Sequence, residues 1–311
     1  MVNATEEHKL LSWNQMGARK HRSTITTIDL LTSCVQMAWK ARSGCVVSML
    51  SLDLTGAFDN VSHERLIWIL EKKKFPRWIL DFVHSFLTAR RTRITFTGYE
   101  SDWIQVQAGI PQGSPISPIL FLFFISELLE TFQQANSRTL AFGFVDDTNI
   151  LAWGDSAKDN CRRLEQAHDR CIAWAKRHGA QFAPDKYHLI HFSRRRKDPQ
   201  GDLQSIARIG SHDVKSEPVL KVLGVWMDHK LQWKEQIKKA TQKGTSAYDS
   251  LSRLVASTWG PTTRRSRLIY SAVVRPTMLY GSQVWGIRDR GEPATTALLQ
   301  PLRTLQNKCL R

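Results

Sequence analysis

Apolar residues recur at two distinct periods along the chain. Residues 45–54, "CVVSMLSLDL", form a short aliphatic run that predicts a buried strand ending at Asp53. In "HERLIWILEKKK" the apolar positions Leu66, Ile69 and Leu70 step by three and one, one face of a helix, and Ser62 stands where a cap is needed. Pro76 ends that helix, and "RWILDFVHSFL" predicts another. "RTRITFTG" and "DWIQVQAG" read as strands flanking Gly98-Tyr99, which predicts a hairpin. "GIPQGSPISP" is a Gly/Pro loop leading into the helix "ILFLFFISELLETF", with Ser117 as N-cap and Pro118 at the first helical position. "LAFGFV" and "ILAW" predict two buried strands joined by a turn at Asp146-Asp147.

Ser156 with Asp159 marks the start of a further helix, whose Ala157, Cys161, Leu164, Ala167, Cys171 and Trp174 share one face and which Gly179 stops. "KYHLIHFS" alternates as a strand, and "RRRKDPQGD" reads as an exposed turn or linker. "GARKHRST" precedes a helix over 26–40, "LKVLGVWMD" reads as a short strand, and 231–254 and 262–275 read as helices. The strand–helix–strand–strand–helix–strand order through 45–195 predicts an α+β layer fold, with an antiparallel-containing sheet and helices on one face. Charge, proline and glycine concentrate at 195–219, which predicts a boundary there.

Charge narrows the partner. Lys and Arg number 44 against 28 Asp and Glu, a net +16, and phosphate neutralisation by such an excess favours a polyanion. The five cysteines include no C-x-x-C pair, and Cys161 and Cys171 lie about 15 Å apart on one helix, beyond the ~7 Å reach of a disulfide. All five therefore read as reduced thiols of an intracellular protein. "MVNATEEHKLLSWNQ" has no apolar signal core, and the longest apolar run, "ILFLFFI", is far short of the roughly 20 residues that cross a bilayer, so no membrane partner is expected.

The paired aspartates raise a question of cost. Burying two unpaired carboxylates beside a core costs several kcal/mol per charge, of order. Asp53 ends another apolar strand, so three carboxylates at neighbouring strand ends are placed to converge. Divalent cations cancel the cost: Mg²⁺ takes hard oxygen ligands, and two ions about 4 Å apart suit phosphoryl transfer. Adjacent strand residues face opposite ways, so the turn must rotate one aspartate, and Asp146 is expected as the closer ligand.

"SLDLTGAFDNVSHERL", "AGIPQGSPISPILF", "FVDD", "APDKYHLIHF" and "LKVLGVWMDHKLQW" follow one another at short spacings. Together they resemble the successive motifs of reverse transcriptases of non-LTR retrotransposons, of the kind abundant in fungal genomes, over about residues 12–311. The resemblance implies a right-hand polymerase fold, with partial fingers at 1–44, palm and remaining fingers elements at 45–195, a linker at 196–219, and a primer-grip hairpin with a helical thumb at 220–311. It implies RNA-directed DNA polymerase activity with an RNA template, a DNA primer and dNTPs as partners, and Mg²⁺ as cofactor, two ions, with Mn²⁺ as substitute. Asp53, Asp146 and Asp147 match the metal-binding catalytic residues, with the Leu54 carbonyl serving the second ion. Phe58 matches the aromatic under the incoming sugar, where a ring leaves no room for a 2′-OH. Gly109, Pro111, Gln112, Gly113 and Ser114 match the loop supporting nucleotide and template. Lys186 matches a lysine that protonates pyrophosphate. Leu223, Gly224 and Val225, with Trp226, resemble the primer grip, and Lys234, Lys238, Lys239, Arg264, Arg265 and Arg267 the phosphate-tracking thumb.

Two departures qualify the match. Val145 stands where the commoner motif has alanine. The basic fingers segment that normally precedes "QMGARKHRST" has no counterpart, nor do the endonuclease, zinc knuckle or RNase H, so the chain reads as a fragment or a decayed copy; Arg19, Lys20 and Arg22 resemble the next motif and are expected to substitute in part for the missing triphosphate contacts. The alternatives are a catalytically inactive nucleic-acid-binding remnant and, less well matched, a group II intron type of enzyme. The family implies the nucleus as location.

Overall fold

The computed structural model describes residues 1–133, 138–253, 260–287 and 293–309. In chain order, α1 (Val2–Glu7) and α2 (Thr24–Ala41) precede the strand β1 (Val46–Leu52) and the helices α3 (His63–Lys72) and α4 (Arg77–Leu87). Four short strands follow, β2 (Arg91–Thr92), β3 (Thr95–Phe96), β4 (Tyr99–Glu100) and β5 (Ile104–Gln105). Then come α5 (Ser117–Glu130), β6 (Thr139–Phe144), β7 (Asp147–Gly154), α6 (Ala157–His178), β8 (His188–Phe192), β9 (Ala207–Ile209) and β10 (His212–Val214). The remainder holds β11 (Val219–Val222), β12 (Val225–Asp228), α7 (Lys234–Ser252), α8 (Thr263–Ile269), α9 (Arg275–Leu279), α10 (Ser282–Trp285) and α11 (Thr296–Cys309).

Caps set the helix starts as the sequence reading expects. Ser62 Oγ accepts from Arg65 N at α3, and Ser156 Oγ accepts from Asp159 N at α6. The Asp202 carboxylate adds bonds from Ala157 N and Lys158 N at 2.9 and 3.2 Å, placing an anion where the α6 dipole favours one. Gly179 ends α6 at φ +68°, a conformation glycine adopts without strain. The helix α5 is buried nearly all round, as a helix apolar on every side must be.

The main sheet runs β6-β7-β1-β8. That order makes β7, which begins with Asp147, the neighbour of β1, which ends one residue before Asp53. The chain divides into two compact units. The first comprises 1–27, 47–189 and 198–216, and its core joins Leu50, Leu66, Phe121, Phe123, Phe124 and Trp174. The second comprises 28–46, 190–197 and 217–311 and packs α7 on α9 and α11, where Gly244 lets Met278 and Leu305 approach.

Several details differ from expectation. The 91–105 hairpin is two short ribbons, β2–β5 and β3–β4, turning at Thr97-Gly98; all four strands are exposed, so no core face enforces one continuous register. The segment 196–219 carries a 3₁₀ stretch, Pro199–Gln204, and the antiparallel pair β9–β10. "LKVLGVWMD" is not one strand but the hairpin β11–β12. The helix expected at 262–275 is broken by a π-helical turn, Tyr270–Val274, ahead of Pro276, which has no N–H to continue the ladder. The N-cap of α5 is Ile116 rather than Ser117. Leu254 lies outside the described residues. All five cysteines are free thiols, and among the described residues no helix is long and apolar enough to cross a membrane.

Candidate active site

The turn bearing the aspartates is tighter than its sequence suggests. Phe144 pairs with Asp147, so only Val145 and Asp146 form the loop. Val145 has φ +58° while Asp146 does not turn positive, the pattern of a type II′ turn with valine where glycine is preferred. Holding a β-branched residue there costs about 1–3 kcal/mol and persists only where surroundings impose it. The surroundings are visible: residues 14–17 run along β6, with Met16 N donating to Gly143 O (2.7 Å) and Gly143 N to Asn14 O (3.0 Å). Gly17 lies so close that a Cβ there would stand 2.4 Å from Val145 N.

Asp147 reaches solvent on one side, yet protein atoms crowd its carboxyl. Its pKa is pushed up to about 6, first by desolvation and then by the charges of Asp146 and Asp53. Asp147 thus lies within electrostatic reach of both Asp146 and Asp53. The three do not form a finished cage: among the described residues no group of three or more His, Cys, Asp or Glu side chains is placed to hold an ion. Lys186 brings a positive charge to Asp53, its Nζ lying 2.8 Å from Asp53 Oδ2. Backbone pairing brings these two together: Ala183 N donates to Asp53 O, Leu54 bridges Phe182, and Thr55 N donates to Gln181 O. The bond to Asp53 holds the Lys186 amine above its ordinary value.

An all-carboxylate donor set suits Mg²⁺, and the crowding on Asp147 is the kind a divalent cation relieves. In donor type the residues present fit such an ion, and among the described residues they are not gathered into a preformed site.

The glycine-proline loop is tied to the segment after Asp53. Gly109 N donates to Val61 O and Ile110 N to Phe58 O, both at 2.8 Å. Gly109 has φ +85°, and a Cβ on it would meet Asp59 O at 2.6 Å, so the close approach requires glycine. Its carbonyl accepts from His63 Nε2 (2.7 Å) and Arg90 Nη1 (2.9 Å). Gln112 Nε2 donates to Asp59 Oδ1 at 3.1 Å, while Pro111, Gly113 and Ser114 continue the loop. The half-buried Phe58 ring stacks on Phe121 at 5.0 Å between centroids. Phe58 and Gln112 thus belong to one locked pair of loops.

Leu223, Gly224 and Val225 lie in the second unit. Leu223 and Gly224, at φ +45° and +89°, make the two-residue turn of β11–β12. Tyr280 Oη donates to Leu223 O at 2.9 Å, and its ring packs on Gly224.

Sequence reasoning misplaced one group and missed others. Arg19 is committed to Glu6 at 2.7 Å and to the carbonyls of Ser12 and Gln15, and Arg22 bonds the Gln15 and Trp13 carbonyls. These arginines brace the segment along β6, which leaves them unsuited to gripping a triphosphate. Gly17, His63, Arg90, Asp59 and Tyr280 were not singled out, since each acts through a contact distant in sequence.

This chain is similar to proteins of known family. It is 26% identical over 308 residues to the "Probable RNA-directed DNA polymerase from transposon BS" of Drosophila melanogaster, covering 98% of this chain and 33% of the relative. It is 27% identical over 270 residues to the "RNA-directed DNA polymerase from mobile element jockey" of the same species, covering 84% and 27%. The chain thus spans about a third of the length of these curated relatives. Among solved structures, telomerase from Candida albicans, in complex with a TWJ fragment of telomeric RNA, matches with a TM-score of 0.56 at 11% identity, covering 99% of this chain and 54% of that one. That likeness gives the right-hand polymerase fold, in keeping with the α+β architecture. The family model "Reverse transcriptase (RNA-dependent DNA polymerase)" matches residues 1–248, and the chain belongs to that family.

Proposed function

We propose that the chain carries the polymerising centre of a non-LTR retrotransposon reverse transcriptase, extending a DNA primer on an RNA template. The observation that supports this reading is the strand order, which sets β7, beginning at Asp147, beside β1, which ends one residue before Asp53, in a chain of the reverse transcriptase family. Asp53, Asp146 and Asp147, with the Leu54 carbonyl, would hold two Mg²⁺ ions, which when bound assist the attacking primer hydroxyl and steady the leaving oxygen. The bond formed joins the primer 3′-oxygen to the α-phosphorus of a dNTP, and the bond broken releases pyrophosphate.

The other residues position and select. Phe58, backed by Phe121, supports the deoxyribose and leaves no space for a 2′-OH. Gln112 offers its amide to the nucleotide or template strand, exchanging the Asp59 bond. Lys186 is protonated and supplies a proton to the departing pyrophosphate, whose charge competes with Asp53 for the ammonium. Leu223, Gly224 and Val225 hold the primer end. Copying at a chromosomal nick would place this work in the nucleus.

The test is extension of a labelled primer on RNA with dNTPs and Mg²⁺, beside Asp146→Asn. Extension by the parent alone supports the reading. Equal absence from both overturns polymerase activity for this chain and leaves a nucleic-acid-binding role.

A further inference from the structure

The segment preceding α2 is docked on β6 by contacts that leave it little freedom to move. Asn14 Nδ2 donates to Ala141 O at 2.7 Å, and the Trp13 ring meets Phe142 edge-on at 6.1 Å between centroids. Gln15 and Gly143 form a parallel bridge, and Gly143 pairs in turn with Thr148 on β7. A Cβ on Gly143 would collide with Gln15 Oε1 and stand 2.7 Å from Leu129 Cδ1, so the Gln15 amide takes the place of a side chain there. Arg19 Nη1 bonds the Ser12 and Gln15 carbonyls, bracing the segment's own backbone. Gly17 is buried at the end of this docked stretch. Its φ is not left-handed, so its own backbone would accept an alanine. What excludes a side chain is the neighbour. A Cβ would stand 2.6 Å from Val145 Cγ2 and 3.0 Å from Phe144 C, against ordinary carbon contacts of about 3.5–4.0 Å.

We infer that Gly17 is a positioning residue: its bare backbone lets the Val145-Asp146 turn seat against the docked segment, and that seat fixes where Asp146 presents its carboxylate. The catalytic part rests on the reading of Asp146 as a metal ligand; the seat itself rests on contact geometry alone. An alanine at 17 meets backbone atoms of the turn, which cannot swing aside as the tip of a flexible side chain can. Because the segment is tied to β6 at Asn14 and Met16, the turn has to withdraw by about 1 Å. Val145, already at φ +58°, has no easy way to absorb that shift, whereas glycine there would, since positive φ costs it nothing. A displacement of about 1 Å at reacting groups costs on the order of 100-fold in rate.

The test compares the full chain with Gly17→Ala, Val145→Gly and Gly17→Ala/Val145→Gly. Hydrogen–deuterium exchange read by mass spectrometry needs no metal, primer or dNTP. Gly17→Ala should speed exchange in a peptide over 140–150 by about tenfold and leave one over 157–178, on α6, at the parent rate. In single-nucleotide extension the same variant should lower kcat by roughly 10- to 100-fold with KM for primer–template unchanged. Measured against Val145→Gly, the alanine should cost no more than about threefold, a non-additivity that a general packing defect does not give. Unchanged exchange over 140–150, an unchanged kcat, or a kcat loss of equal size in both backgrounds overturns the inference. Should Gly17→Ala alone fail to fold, a folded double variant supports the seat and an unfolded one overturns it. A parent that extends no primer overturns the polymerase reading, and exchange then decides for or against the seat.

Discussion

Replacing Asp147 by asparagine should stabilise the folded chain. The side chain keeps its shape but loses a charge that desolvation, Asp146 and Asp53 all oppose. The distance from the ordinary 3.8 to about 6 corresponds, at about 1.4 kcal/mol per pH unit, to a ceiling near 3 kcal/mol. Asp147 is exposed on one side, so solvent screening reduces this to about 1–1.5 kcal/mol. For a chain of this size that is a rise of roughly 2–6 °C in the unfolding midpoint. The pH dependence has a definite sign. Because the folded-state pKa is raised, the folded chain binds the proton before the unfolded chain does, and wild-type stability falls as pH rises from about 4 through about 6. The advantage of Asp147→Asn should be full near pH 7.5, in EDTA and low salt, and vanish by about pH 3.5. Thermal melts across this range are the assay. A variant no more stable than wild type at neutral pH, or a gap that persists in acid, would refute a charge on Asp147 opposed by burial and by its neighbours.

Other perturbations probe the loops. Gly109→Ala places a Cβ against Asp59 O in a left-handed conformation; urea denaturation should report a loss of about 2–4 kcal/mol. Tyr280→Phe removes the bond to Leu223 O and should cost about 1 kcal/mol of stability, raising KM for primer more than it lowers kcat. Phe58→Val should narrow the preference for dNTP over rNTP by roughly 10- to 100-fold in single-nucleotide extension, while Phe58→Tyr keeps the ring and the preference.

The sequence was most informative where physics is local. Ser62, Ser156 and Gly179 bound their helices as expected because a cap needs only its own turn. The apolar stripe of α6 and the two strands around Asp146-Asp147 were legible for the same reason: periodicity is written within one element. In the sequence Val145 is only a departure from the commoner motif, whereas its significance is a strained φ that local pattern does not reveal. The partnership of Gly17 with that turn joins segments more than a hundred residues apart, so no window along the chain contains it. The strands β9, β10, β11 and β12 are three or four residues long, too short for alternation to distinguish them from a linker or a single strand. Arg19 and Arg22 looked available to a ligand because basic residues are usually solvated; Glu6 and the backbone carbonyls that engage them were invisible from composition.

Iron-directed cleavage tests the geometry most directly. Fe²⁺ substituted at a Mg²⁺ site, with ascorbate and peroxide, cuts backbone beside the bound ion. The account predicts cuts near both Asp53 and the Val145–Asp147 turn, suppressed by excess Mg²⁺ and lost in Asp146→Asn. Cleavage at one of the two segments alone, or cuts that survive the substitution, would contradict it.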